Sequence, residues 1–217
     1  MTNEVCEISI RRVRMDDHTK IVKLFQTFDK EKYKFIKTGE HNNNNNNRSN
    51  LSLAGLRIDE RGGIYLNPLL DSHSAYFKCY VAEDLNSKIL VGYILFFNTL
   101  DEKGNDDPVA VIEDLFVKSA YRCRGIATQL WRKVLKASLE RGCFSCETLM
   151  IPENIDGISF WKHRLGSVRI ESILNEPRVR NHEVIVRLNR MEMKEYYERS
   201  EMNQEEDEEV LDLFDVL

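Results

Sequence analysis

Two stretches of the chain carry residues whose types and spacing could do chemistry. In Ile112-Glu113-Asp114-Leu115-Phe116-Val117 a pair of carboxylates interrupts an apolar, β-branched run. Carboxylates in such a run are costly to bury unless paired, which points to a specific role: holding a cation, taking a proton, or forming a structural hydrogen bond or ion pair. Adjacent strand positions point to opposite faces, so at most one of the two faces any given cleft. In Arg122-Cys123-Arg124-Gly125-Ile126-Ala127 two arginines and a glycine precede an amphipathic helix, with Ile126, Leu130, Val134 and Ala137 at i, i+4, i+8 and i+11. The first turn of a helix has unpaired backbone N–H groups and the positive end of the helix dipole, which suits a phosphate. Arg122 and Arg124 add side-chain charge that can fork onto phosphate. Gly125 permits close backbone approach and Ala127 keeps the turn narrow. A phosphate at a helix start is the arrangement this loop predicts; a solvated loop before an ordinary helix is the other reading.

The surrounding pattern must position them. Residues 7–13 read as a strand, and Asp16 or Asp17 can cap a helix running to about Phe28, with Ile21, Leu24, Phe25 and Phe28 on one face. Residues 30–37 continue as charged residues mixed with Tyr33 and Phe35. Asn42–Asn47 is a six-asparagine run that cannot bury apolar surface, and the pattern predicts a disordered insertion at about 40–50. A short helix over 51–58 follows, ended by Arg61-Gly-Gly63. Strands are predicted over 77–83, 88–98 and 109–117, forming an antiparallel meander, with Gly92 marking a bulge or a close approach. A helix over 125–141 ends at Gly142, a C-cap candidate. A strand over 145–151, a helix over 155–164 and strands over 167–173 and 183–189 complete the series. The order is βαα-βββ-α-β-α-ββ, a mixed α/β (α+β) architecture.

Composition narrows the function classes. The 217 residues are 42% hydrophobic and 31% charged, with a formal net charge of −5. That supports one good core and argues against nucleic acid as a main partner. No run reaches the length of a membrane span. Five cysteines are an odd number without a disulfide-framework spacing, and the N-terminus reads as no signal peptide. A reduced, cytoplasmic setting is the expectation. Cys143-Phe-Ser-Cys146 has no second pair and no nearby His, so it reads as core and surface thiols at the start of a strand, and no metal site is predicted. Residues 191–217 read as an acidic tail after a domain over 1–190. Glu205–Glu209 is a charge run, and the apolar residues after it could dock in a partner groove or fray.

Arg122-Cys-Arg-Gly125-Ile-Ala127 matches R/Q-x-x-G-x-G/A and resembles the acetyl-CoA pyrophosphate loop of the GNAT N-acetyltransferases. Ile112–Val117 resembles the preceding strand in the diamine (spermidine/spermine, thialysine) acetyltransferase branch, where a Glu-Asp pair stands next to the reacting amine. Ile8-Ser-Ile-Arg-Arg, Cys79-Tyr-Val-Ala-Glu83, Val91-Gly-Tyr93 and Asn154 followed by Phe160-Trp161 extend the likeness over about residues 7–190.

The resemblance implies a GNAT acyl-CoA N-acyltransferase fold, a mixed and mostly antiparallel sheet with splayed central strands (109–117 and 145–151). The pantetheine arm of acetyl-CoA would lie between them along Leu115, Phe116 and Val117. The pyrophosphate would sit on Arg122, Cys123, Arg124, Gly125, Ile126, Ala127 and Thr128, with Asn154 near the thioester end. Glu113 becomes the base or water-holder, and Asp114, Asp29, Glu31 and Tyr33 stand on the substrate side; a solvated helix end is the other reading of the last three. The family has a Tyr after the Phe of the post-Asn helix, whereas this chain has Trp161, and the spacing to Gly166 is one residue longer. Lys162 or His163 could occupy part of that space. The implied function is acetyl transfer from acetyl-CoA to a primary amine, a small polyamine or an amino acid. The rival is an acetyl-CoA-binding regulatory protein with weak or no catalysis that recruits a partner through its tail. Family members are commonly homodimers, which extends that expectation to this chain, although its C-terminal region departs from theirs.

Overall fold

The computed structural model describes residues 7–36, 77–100, 108–150, 154–164, 169–172, 184–199 and 201. The asparagine run, the expected helix over 51–58 and the acidic run Glu205–Glu209 lie outside the described residues. Seven described strands form one sheet: β1 (Ile8–Arg12), β2 (Phe77–Asp84), β3 (Ile89–Leu100), β4 (Pro108–Val117), β5 (Ser145–Met150), β6 (Arg169–Ser172) and β7 (Val184–Asn189). Their spatial order is β1-β2-β3-β4-β5-β7-β6. Every neighbouring pair is antiparallel except β4 and β5, which run parallel.

Helix α1 (His18–Ile36) lies on one face of the sheet and α2 (Ile126–Glu140), α3 (Ile155–Arg164) and a helix α4 over 190–199 on the other. The strand alternation divides the apolar residues between these faces. Cys79, Val81, Tyr93, Leu95 and Phe116 pack with Ile21, Leu24 and Phe25 of α1. Ala82, Ile94, Phe96, Ala110 and Ile112 pack with Leu130, Trp131 and Val134 of α2, Trp161 of α3 and Met193 of α4. Each fully buried large side chain contributes about 1.5–3 kcal/mol, so the two layers hold the sheet from both sides.

Among the described residues the expected element order survives, with three differences. Helix α1 passes the expected stop near Phe28 and runs to Ile36. Lys and Glu are good helix formers, and Phe28 anchors the extension against Tyr93 and Phe116, at ring centroid distances of 6.1 and 5.5 Å. Asp17 does not cap α1. It closes a 3₁₀ turn, Met15–Asp17, and its carboxylate accepts from the Arg14 N–H at 2.8 Å and from both terminal nitrogens of Arg11 at 2.6 and 2.8 Å. Burial pushes the Asp17 carboxyl upward, but the Arg11 and Arg14 bonds overcome it and hold the group below its usual range. Finally, residues 190–199 are helical and Met193 is fully buried, so the folded body continues past the expected boundary at 190. Arg132 of α2 donates to Glu201 at 2.6 Å, which holds the end of this segment along α2.

Gly142 and Gly92 act as read. Gly142 has φ +74 and follows the last turn of α2. Its N–H bonds to the Leu139 carbonyl at 3.0 Å while the Cys143 N–H bonds to the Ser138 carbonyl at 2.9 Å, a Schellman closure. Cys143 and Cys146 are both free and both buried, so neither is the surface thiol expected of one of them. At Gly92 a Cβ would stand 2.9 Å from the Phe116 carbonyl oxygen and 3.2 Å from Val117 Cγ2. Glycine is required there by close strand packing.

Candidate active site

The site grows from a register irregularity in β4. Leu95 pairs with Asp114 but Phe96 pairs with Ile112, so Glu113 is an extra residue in the ladder, a β-bulge. Ile112 packs into the α2-side core, Leu115 packs against that same core, and Phe116 belongs to the α1-side core. Two residues separate Ile112 and Leu115 where simple alternation allows one, so Glu113 and Asp114 both turn to the α1 face. This corrects the expectation that the two carboxylates point to opposite faces: the bulge breaks the two-residue period at the one place where it matters. Asp114 also acts on the buried Cys79 thiol, an α1-face residue that burial and the nearby carboxylate hold above its ordinary pKa. Glu113 is exposed and Asp114 is half-buried.

The same point on β4 opens the sheet. Pairing of β4 with β5 runs from Val109–Ser145 to Ile112–Thr148 and then stops, although β4 continues to Val117 and β5 to Met150. The splay of the central strands therefore begins beside the bulge. The Lys118 N–H donates to the Val91 carbonyl at 2.8 Å. In the alternation of an antiparallel ladder this turns the peptide groups of Leu115 and Val117 away from β3, into the gap. Leu115 and Val117 side chains face the α2-side core, whereas the Phe116 ring lies in the α1-side core and offers the gap no side chain.

The gap leads to the loop before α2. A 3₁₀ turn, Ser119–Tyr121, is followed by Arg122 in an extended conformation, Cys123 at φ +59 and Gly125 at φ +75 as the N-cap of α2. No side chain caps the helix; the first turn closes with the Gln129 N–H on the Gly125 carbonyl at 3.0 Å. The N–H groups of Ile126, Ala127 and Thr128 precede that bond and have no intrahelical acceptor. Ile126 itself is buried, so it offers only its backbone. Cys123, Arg124 and Gly125 are exposed. The Arg124 guanidinium lies 5.3 Å above the Tyr121 ring, and the Tyr121 hydroxyl donates to Asp84 at 3.0 Å. Asp84 also accepts from the Ser87 hydroxyl at 2.8 Å and from the N–H groups of Asn86 and Ser87. The Ser87 bond first, then that of Tyr121, pulls its carboxyl down to about 2. The turn after β2 thus braces the loop. The Asp84-Leu-Asn-Ser turn is legible in the sequence, but its link to Tyr121 is not.

Arg122 is turned away from the helix start. One terminal nitrogen donates to Glu31 of α1, Nε donates to the Val117 carbonyl at 2.9 Å, and the guanidinium lies 5.9 Å over the Phe116 ring. Glu31, read as a substrate-side residue, is therefore found on a cofactor-loop arginine. The side chains of Asp29 and Tyr33 lie outside the described residues.

Asn154 stands at the start of α3, where its Oδ1 accepts from the Gly157 N–H at 3.0 Å and its carbonyl from the Ile158 N–H at 2.9 Å. It is a helix cap, and its Nδ2 lies beside Gly157. Trp161 is 4% exposed, with its ring edge-on to Trp131 at 5.0 Å and to Phe160 at 5.1 Å. Its ring is part of the packing between α2 and α3, and an indole N–H is a hydrogen-bond donor but not a usable acid. Lys162, the next residue, is exposed; the side chain of His163 lies outside the described residues. Among the described residues no group of three or more His, Cys, Asp and Glu could hold a metal ion, and no helix is long and apolar enough to cross a membrane.

Residues 52–166 match the family model described as acetyltransferase (GNAT) family. A curated relative, thialysine N-epsilon-acetyltransferase of Bos taurus, is 28% identical over 94 residues, covering 40% of this chain and 54% of that protein. The chain thus matches about half the length of that relative. A GNAT-family acetyltransferase from Staphylococcus aureus superposes with a TM-score of 0.58 at 14% identity, over 85% of this chain and 99% of that one. NAA60 of Arabidopsis thaliana, in complex with a bisubstrate analogue, superposes with a TM-score of 0.56 at 16% identity, over 84% and 98%. At these identities the structural likeness concerns the fold.

Proposed function

The chain belongs to the acetyltransferase (GNAT) family, and from that membership we propose that it transfers the acetyl group of acetyl-CoA to a primary amine, a small polyamine or an amino acid side chain such as that of thialysine. The observation that carries the reading is the continuity of the site. The bulged Glu113–Asp114 pair, the splay point of β4 and β5, and the uncapped start of α2 lie along one strand–loop–helix unit. The amine class draws support from the thialysine N-epsilon-acetyltransferase relative and from two carboxylates on one face.

The residues present fit acetyl-CoA. The free N–H groups of Ile126, Ala127 and Thr128, with Arg124 beside them, suit a pyrophosphate. The Leu115 peptide groups and the Val117 N–H suit an extended pantetheine, which would pair with them as an added strand does. When bound, acetyl-CoA supplies an acetyl thioester open to attack by a neutral amine.

The chain's own part is proton and charge handling. An alkyl amine has a pKa of about 10, so roughly one molecule in a thousand is neutral at pH 7. Glu113, exposed on the bulge, accepts the ammonium proton directly or through water, and Asp114 holds the cation in place. Cys-like thiols have a pKa of about 8.5, so the departing sulfur leaves as a thiolate without a strong acid beside it. Trp161 stands where the family has its tyrosine and supplies no acid, which favours slower turnover or the rival reading of a weak or silent binder, whereas Glu113 and Asp114 favour the enzyme.

The test is free-thiol release from acetyl-CoA by the purified full chain with spermidine, spermine, thialysine, lysine and a set of N-terminal peptides. Release with one small amine, reduced about 10²–10³-fold in Glu113→Gln with an unchanged affinity for CoA, is the expected outcome. Release that is unaffected by Glu113→Gln removes Glu113 from the mechanism. Tight acetyl-CoA binding with no release, with any amine, overturns the enzymatic reading.

A further inference from the structure

We infer that Glu31 is a positioning residue for the acetyl-CoA loop, holding Arg122 as a strut between α1 and the end of β4, and that it is not a ligand of the acceptor amine; the inference rests on the function proposed above. Arg122 opens the R-x-x-G-x-A motif, and its charge would be expected on the pyrophosphate. Instead its guanidinium is held on three sides. Glu31 accepts from a terminal nitrogen, the Val117 carbonyl accepts from Nε at 2.9 Å, and the Phe116 ring lies 5.9 Å below. Phe116 is packed against Phe28 at 5.5 Å, one turn before Glu31 on α1. The clamp therefore joins two elements that the sequence separates by 91 positions.

Three consequences follow from this geometry. The Arg122 guanidinium is engaged by Glu31, the Val117 carbonyl and the Phe116 ring, which leaves the anion to the helix N–H groups and Arg124. The Val117 carbonyl is already engaged, so the groups left for pantetheine on this side of β4 are the Val117 N–H and the Leu115 peptide groups. The Glu31 carboxylate is neutralised by Arg122, which takes its charge away from a cationic acceptor. The side chains of Arg122 and Glu31 are 41% and 25% exposed, so the pair is reachable by solvent and its contribution is moderate.

The experiment compares wild type, Glu31→Gln, Arg122→Gln and the double variant by calorimetric titration with CoA and by steady-state kinetics with the best amine. The expected result is a CoA dissociation constant, and a KM for acetyl-CoA, raised roughly fivefold in either single variant. The double variant should be no weaker than the singles, because both remove the same clamp. The amine KM should stay at its wild-type value in Glu31→Gln. An amine KM that rises in Glu31→Gln while CoA affinity holds overturns the inference and returns Glu31 to the acceptor side. Unchanged values throughout also overturn it. A wild-type chain that binds no CoA removes the functional reading itself, an outcome distinct from either.

Discussion

Gly92→Ala tests the packing on which the splayed site depends. Gly92 sits on β3 opposite Val117, at the end of β4 that feeds the loop. An added Cβ would lie 2.9 Å from the Phe116 carbonyl oxygen, 3.2 Å from Val117 Cγ2 and 3.5 Å from Leu130 Cδ1. The nearest obstacle is backbone in a paired strand, so no side-chain rotation relieves it, and β4 must shift by several tenths of an ångström. Overpacking of this kind costs about 1–3 kcal/mol. A figure of about 2 kcal/mol corresponds to a fall in Tm of about 4–8 °C for a chain of this size. Because the shift falls on Phe116 and Val117, the Arg122 clamp moves with them, and CoA affinity should fall alongside stability. The assay is thermal and urea unfolding with and without CoA. An alanine variant within 0.5 °C of wild type, with unchanged CoA affinity, would refute the argument that glycine is required by contact.

Two further outcomes are expected. Trp161→Tyr should lower stability by about 1–3 kcal/mol in urea unfolding, because a smaller ring leaves part of the space against Trp131 and Phe160 unfilled; thiol release should not speed up, and a faster rate would place residue 161 in the cleft after all. The Asp84 carboxyl is pulled from 3.8 down to about 2 in the fold, so its contribution is complete above the unfolded pKa and is lost as pH falls through the folded one. Urea midpoints measured from pH 6 down to about pH 2 should therefore fall less steeply in Asp84→Asn than in wild type below pH 4, and parallel slopes would dismiss the Ser87 and Tyr121 bonds as the cause.

Much of this protein was legible before any coordinates. The order of strands and helices followed from periodicity, because a two-residue or 3.6-residue apolar repeat needs only local sequence to be seen. The C-cap at Gly142 and the glycine before α2 were readable for the same reason: both answer to the backbone of their own turn. The R-x-x-G-x-A loop announced an anion at a helix start, and the Glu-Asp pair announced a cation or a proton.

Tertiary structure decided how those parts act. The bulge at Glu113 arises from the register of β4 on β3, and it places on one face two carboxylates that alternation assigns to opposite faces. The Glu31–Arg122 contact depends on the path of α1 across the sheet. Trp161 stands in the sequence where the family has Tyr, and only the docking of α3 shows that its ring packs edge-on against Trp131. Residue type and local spacing fix the elements and the chemistry available, because those depend on short-range sterics and hydrogen bonding. Which groups meet depends on long-range register and packing, which no window of the sequence contains.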